Sequence, residues 1–214
     1  MKFSVLMPTL NRPSYVLKAV DAVLSQQGVA LELIIKDGGM PIQSILPKDP
    51  RLIYIHSQDD GITQAVNMAM RQATGDIFCW ANDDDLLMEG MLKTVEDSMG
   101  DRKWLYGKVI YGDREHGQAW DYEKLKQGNY IPAPAAFWTR EAFEAVGYFD
   151  ETVDLASDYE YWLRLGAEFE PTFIDKCLAY FTIHPEQASK RGRREQIRQT
   201  DVVRVRYREV EERI

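Results

Sequence analysis

Asp83, Asp84 and Asp85 stand consecutively where an apolar run, Ile77 to Ala81, comes to an end. On an extended segment Asp83 and Asp85 share one face and Asp84 takes the other. Three adjacent anions at the end of a buried strand repel one another and resist desolvation. A divalent cation with oxygen ligands relieves that repulsion, and Mg²⁺ or Mn²⁺ commonly bridges carboxylates to substrate phosphates. The same residues also read as a solvated cluster capping a helix that begins near Met88. The rest of the chain has to separate these readings.

Phe3 to Met7, Leu31 to Ile35 and Leu52 to Ile55 are further short apolar runs, each followed by polar residues. Thr9 and Asn11 follow the first, Asp37 the second, Asp59 and Asp60 the third. Val16, Leu17, Val20, Val23 and Leu24 recur at helical spacing after Pro13-Ser14, and Ile62 to Gln72 forms a second helix with Ala65, Val66, Ala69 and Met70 inward. Strand, helix, strand, strand, helix, strand with uniformly apolar strands predicts an α/β fold on a parallel sheet. In such a sheet the four polar clusters gather at one edge, at the carboxyl ends of the strands, where ligands bind. That convergence favours the metal-and-phosphate reading.

The second half is less regular. Met91 to Met99 completes a helix; Trp104 to Tyr111 and Ala119-Trp120 predict a hairpin around residues 112–117. Asp121 to Gln127 predicts a short helix. Two prolines, Pro132 and Pro134, make the segment before Trp138 a loop leading to a short strand at best. Helices are expected over Arg140 to Val146, stopped by Gly147, and Tyr159 to Leu165, stopped by Gly166. Thr172 to Ile174 and Leu178 to Ile183 read as two strands.

The chain has 214 residues, 45% hydrophobic and 28% charged, enough to bury a real core. A net charge of −8 argues against nucleic-acid binding. Cys79 and Cys177 lack metal-ligand spacing and read as core thiols of a reducing, cytoplasmic compartment. Met1-Lys2 runs into a short apolar stretch that ends at Pro8, unlike a signal peptide, and no run approaches a membrane span.

Taken in order, these segments resemble a family-2 glycosyltransferase of the GT-A fold, of the bacterial polysaccharide type. Ser4 to Arg12 is similar to the opening strand of that family, and Asp37-Gly38-Gly39 to its second-strand turn. Asp59-Asp60-Gly61, followed by Ala73-Thr74-Gly75-Asp76, resembles its Asp-x-Gly and Ala-x-Gly-Asp region. Trp80 to Leu87 resembles the strand carrying its Asp-x-Asp motif. Gly147 to Glu151 and Ala156 to Glu160 resemble the later segments, so the resemblance covers residues 3–189. It implies a Rossmann-like, mostly parallel central sheet flanked by helices. It also implies an inverting transfer of a sugar from a nucleotide-diphosphate-sugar, a UDP-sugar first among them, to a glycan or lipid-linked acceptor.

The resemblance further implies roles. Pro8, Thr9, Asn11 and Arg12 line the nucleotide pocket, Asp37 accepts from the base, and Asp59 lies nearby. Asp83 and Asp84 contact ribose and sugar; Asp85 binds Mn²⁺ or Mg²⁺, with His184 at a late position that approaches it. Asp158 is the catalytic base. Two departures stand out: Ser157 precedes Asp158 where the family often has Glu, and Lys36 precedes Asp37 where it often has Asp. Asp37, Asp59 and Asp158 also suit plain turn or helix-capping roles. Trp120, Trp138 and Trp162 suit sugar stacking or the core.

The expected organisation is one domain over 1–189, with a nucleotide-sugar half at 1–100 and an acceptor half at 101–189. A C-terminal amphipathic helix follows over 190–214. Its basic residues and its stripe of Thr200, Val203, Tyr207, Val210 and Ile214 suit packing on its own domain or a homodimer, or peripheral contact at the inner face of a membrane. Two other readings are a nucleotidyltransferase, disfavoured because residues 8–12 hold no Gly-rich phosphate loop, and a catalytically inactive nucleotide-sugar- or glycan-binding domain.

Overall fold

Alternate residues of the strands pack into two separate cores. The computed structural model describes residues 1–185, 187 and 192–209. In β1 (Lys2–Thr9), Phe3, Val5 and Met7 face one core and Leu6 the other. The same alternation holds in β2 (Ala30–Asp37) and β4 (Ile77–Trp80), where Cys79 and Trp80 part to opposite faces. Helices α1 (Pro13–Leu24) and α3 (Met91–Met99) cover the first face. Helices α2 (Ile62–Gln72), α4 (Tyr122–Gln127), α5 (Arg140–Val146), α6 (Ser157–Glu168) and α7 (Arg193–Glu209) contribute to the second. Coverage on both faces explains why the strands read as continuous apolar runs.

The remaining strands are β3 (Leu52–His56), β5 (Leu86–Leu87), β6 (Trp104–Tyr111), β7 (Arg114–His116), β8 (Ala136–Thr139) and β9 (Thr172–Phe181). They join one sheet of order β3-β2-β1-β4-β8-β6-β9-β5, with β7 paired to β6. Strands β1 to β4 are parallel, and β8 runs against both β4 and β6. Strands β6 and β9 therefore run with β1, while β5 and β7 are reversed. The sheet changes winding direction at β1, which has β2 on one side and β4 on the other. Ligands in open α/β sheets sit at such a switch point.

Several expectations are corrected in the second half. The segment with two prolines becomes a 3-10 turn, Ala133–Ala135, and then the central strand β8. Its prolines precede the strand, so no ladder hydrogen bond is lost. Ala119-Trp120 forms no strand; the hairpin closes on Arg114–His116 instead. The two late strands are one, β9, whose register shifts around Lys108 of β6. Helix α6 continues through Gly166, where the lack of a Cβ makes room for Trp120: an added Cβ would stand 2.5 Å from the indole. Trp138 and Trp162 are fully buried, and Trp120 packs edge-on to Trp104, so all three serve the core.

Helix α7 packs on its own domain. Val203 is fully buried, the Tyr207 hydroxyl donates to Glu160 at 2.9 Å, and Arg206 meets Asp150 at 2.7 Å. Ile197 and Val205 remain exposed on its outer face. Lys190, Arg191, Val210 and Ile214 lie outside the described residues. No helix among the described residues is long and apolar enough to cross a membrane.

Candidate active site

Thr9 ends β1 at the switch point, and its hydroxyl donates to Asp83 Oδ2 at 2.6 Å. The chain then turns at Asn11, which adopts the left-handed conformation with φ of 54°. Asn tolerates that conformation better than most residues. The turn aims the Arg12 side chain back over the sheet edge. Its guanidinium reaches Asp83 Oδ1 and Asp84 Oδ2, both at 2.5 Å. His184 Nε2 meets the same Asp84 Oδ2 at 2.8 Å, and its ring stacks on Tyr15 at 4.3 Å between centroids. The predicted Thr9, Arg12, Asp83, Asp84 and His184 are therefore one cluster.

Asp85 departs from its expected place. It is 2% exposed, accepts from the Asn82 amide at 2.9 Å, and does not line the cleft described below. The carboxylate that meets His184 and lines the cleft is Asp84. The reason is backbone geometry: β4 ends at Trp80 and a turn closed by Asp85 N–H to Asn82 C=O follows, so strand alternation no longer governs the three acids. Burial, with Asp84 and Asp83 nearby, pushes the Asp85 carboxyl up to about 8. Burial likewise pushes Asp83 up to about 7, against the opposing pull of Arg12.

A second group adjoins the first along the ends of β2 and β3. Asp37 is fully buried and accepts from Gly39 N–H at 2.8 Å and from the Tyr54 hydroxyl at 2.7 Å. It builds the turn after β2. Lys36, also fully buried, spans to Asp59 Oδ2 at 2.5 Å and to the Ser57 carbonyl at 2.7 Å. Asp59 lies across Gly38 so closely that any Cβ there would come within 2.3 Å of its carboxylate. Asn11 Oδ1 accepts from Met40 N–H at 2.8 Å, joining the first group to this turn. Pro8 is buried in β1 opposite Lys36.

A cleft of about 380 Å³ opens beside the acid cluster. Arg12, Asp84, Trp80 and Asn82 line it together with Asp158, Asn129 and the segment 131–134. Asp158 stands in the first turn of α6. It accepts from its neighbour Tyr159 N–H at 2.7 Å and from Asn129 Nδ2 at 3.0 Å. Burial outweighs both hydrogen bonds and raises its carboxyl to about 6. The helix terminus alone would have lowered it.

The competing acids are engaged elsewhere. Asp154 caps α2 by accepting from Thr63 N–H at 2.8 Å. Glu160 binds Arg164, Asp150 binds Arg206, and Glu151 accepts from Asn67 at 2.8 Å. Asp154 and Asp158 both line the cleft; Asp154 is committed to the start of α2, while Asp158 is held by Tyr159 N–H and the Asn129 amide. Asn129 and Tyr15 escaped the sequence reading. Asn129 sits in a loop without periodicity, and Tyr15 carries no sign of the His184 it meets 169 residues later.

Comparison with known proteins identifies the family and the fold. Residues 4–149 match the model of the family described as glycosyl transferase family 2. The chain belongs to that family. It is 23% identical over 219 residues to an uncharacterized glycosyltransferase of Rickettsia felis, covering 88% of this chain and 35% of that protein. It is 27% identical over 175 residues to a PGL/p-HBAD biosynthesis glycosyltransferase of Mycobacterium tuberculosis, covering 76% and 68%. Among solved structures, S. aureus TarS 1–349 in complex with UDP superposes with TM-score 0.70 at 21% identity, covering 95% of this chain and 65% of that one. Mannosyltransferase PcManGT from Pyrobaculum calidifontis, in complex with GDP-Man and Mn²⁺, gives 0.73 at 17%, covering 95% and 64%. The curled, mostly parallel sheet with helices on both faces is the GT-A fold. The chain spans about a third of the length of the Rickettsia relative.

Proposed function

We propose that this chain is a nucleotide-sugar-dependent glycosyltransferase that inverts the anomeric centre with the help of a divalent cation. The observation that carries the reading is one cleft lined both by Asp84 and Arg12 and by Asp158, which comes from the second half of the chain. Inversion needs a base separate from the groups that hold the departing diphosphate, and a cleft that gathers both supports that division of labour.

Asp158 accepts the proton of the acceptor hydroxyl as the new bond forms. Its raised pKa makes it a stronger base than an ordinary aspartate while leaving it ionised at neutral pH. Asn129 orients it. Arg12 and the end of β1 hold the diphosphate. The nucleobase lies against the β2–β3 edge, where Asp59 is 11% exposed and Asp37 is enclosed by its turn. A UDP-sugar is the first donor to test, with GDP-sugars beside it.

Among the described residues no three His, Cys, Asp or Glu side chains form a ready-made metal cage. Asp84 and His184 supply a carboxylate and an imidazole, with the crowded acid Asp85 behind them. Such a donor pair suits Mn²⁺ or Mg²⁺, whose other ligands come from phosphate and water. When bound, the cation neutralises charge on the departing diphosphate.

The experiment is a thermal-shift screen of UDP, GDP and their sugar conjugates with Mn²⁺, followed by donor-turnover assays on each stabilising ligand. Stabilisation with turnover supports an enzyme; stabilisation with no turnover under any acceptor or in water indicates an inactive binding domain. An acceptor on a lipid carrier would bring the chain to a membrane surface, and the glycan or lipid-linked nature of the acceptor is tested by which of the two raises turnover.

A further inference from the structure

One carboxylate oxygen has three claimants. Asp84 Oδ2 accepts from Arg12 Nη1 at 2.5 Å and lies 2.8 Å from His184 Nε2. The cation of the proposed function would take the same carboxylate and the same imidazole nitrogen. We infer that Arg12 is an exchangeable internal counter-ion: it pairs with Asp83 and Asp84, yields Asp84 to the incoming divalent cation, and transfers its own pairing to the donor diphosphate. This inference rests on the reading of the site as a cation-assisted glycosyltransferase.

Five features support the exchange. The guanidinium and a divalent cation compete at Asp84 Oδ2, because they seek the same lone pairs and repel each other. Arg12 is anchored by its backbone, whose carbonyl accepts from Tyr15 N–H at 3.1 Å and Val16 N–H at 3.2 Å to start α1. Its flexible side chain can therefore move without unravelling the helix. Tyr15 stacks on the His184 ring and keeps it beside Asp84 when the guanidinium leaves. Arg12 also lines the cleft, so its new partner lies within its own swing. A guanidinium binds phosphate oxygens as readily as carboxylates, in the same forked geometry.

The exchange makes cation and nucleotide binding interdependent. A cation arriving alone must strip Arg12 from Asp84 and leave the guanidinium with Asp83 as its remaining anion. A diphosphate arriving with it gives Arg12 a replacement. By linkage, each ligand then raises the affinity for the other by the same factor.

The test measures Mn²⁺ affinity from the free-ion paramagnetic resonance signal, with and without UDP or GDP. It uses wild type, Arg12→Met and Arg12→Gln, with melting temperatures as the control for folding. Wild type is expected to bind Mn²⁺ weakly alone and at least tenfold more tightly with a nucleoside diphosphate. Both variants are expected to bind Mn²⁺ alone about tenfold more tightly than wild type, with a nucleotide enhancement about tenfold smaller, the remainder coming from phosphate oxygens that ligate the cation, on the order of one decade per pairing released. A merely structural arginine would give the opposite, because its loss would loosen the acid cluster. Equal or weaker Mn²⁺ binding by folded variants overturns the inference while leaving the functional reading in place. A wild type that binds UDP or GDP with Mn²⁺ but shows no mutual enhancement overturns it without recourse to any variant. Absence of Mn²⁺ binding under every condition removes the cation reading and the inference together.

Discussion

Asn129 donates to Asp158 across 3.0 Å, and this single hydrogen bond is the main polar restraint on the carboxylate from outside its own helix. It favours the ionised form, so it works against the burial that raises the carboxyl to about 6. Removing it has a direction: Asn129→Ala should raise the Asp158 pKa. The acidic limb of the kcat/KM profile, expected near pH 6 in wild type, should move to higher pH in the variant. A limb that stays in place separates Asn129 from the base.

Asp158→Asn should lower turnover about 10²- to 10⁴-fold with donor affinity little changed, the usual worth of a positioned base. It should also raise stability. An acid whose folded pKa lies near 6 rather than 3.8 holds a proton in the folded state that the unfolded chain releases. Stability therefore falls as pH rises through that window, and the neutral amide escapes the loss. Melting curves at pH 5 and pH 8 check this: the gain should be larger at pH 8.

Asp84 and Asp85 should differ when neutralised one at a time. Asp84→Asn should remove the Mn²⁺-dependent part of nucleotide-diphosphate affinity, because Asp84 meets His184 at the cleft. Asp85→Asn should retain most of it and raise the melting temperature near neutral pH, since its carboxyl is pushed up to about 8 by burial. Calorimetric titration of UDP with and without Mn²⁺ distinguishes them; the reverse ranking would return the metal to Asp85.

Glu32 governs acid stability far from the cleft. Burial opposes its ionisation, but Lys2, Ser4 and Thr74 all donate to it and hold the carboxyl at about 2. The folded pKa is depressed, so the stabilisation is complete above about 4.5 and disappears as pH falls toward 2. Its full size is on the order of 3 kcal/mol, an upper figure for a shift of this width. Glu32→Gln should flatten the pH dependence of denaturant midpoints across that window.

Docking of α7 rests on Val203, which is fully buried against the second core. Val203→Asp places an unpaired charge there and should release the helix at a cost of several kcal/mol. Amide exchange along residues 193–209 should accelerate before the rest of the chain loosens. Uniform behaviour along the chain would make α7 part of the global fold.

The first half of the fold was legible because each of its strands carries apolar residues on both faces and ends in a polar cluster. Leu6 against Val5 and Met7 shows how that pattern maps onto two cores. The second half hid its topology. Strand β8 is only four residues long and follows two prolines, yet it pairs on both sides, a fact set by Phe137 and Trp138 finding partners on β4 and β6. Within the site, Asp83 to Asp85 were legible as a group. Which acid faces the cleft was not, because a turn rather than a strand carries them. The His184 contact with Asp84 spans 100 residues and leaves no local pattern. Asp158 was found through the family resemblance, while its raised pKa reflects surroundings that only the assembled fold supplies.

Strand β8 welds β4 to β6, so the end of β4 and the second half of the chain belong to one hydrogen-bonded sheet. A clamshell motion would have to tear that ladder. The turn that carries Asp84 and the helix that carries Asp158 are consequently braced against one sheet, like the jaws of a gauge rather than of a hinge. The stretch from Tyr130 to Pro134 belongs to the same brace, because Tyr130, Ile131 and Pro134 are buried against it.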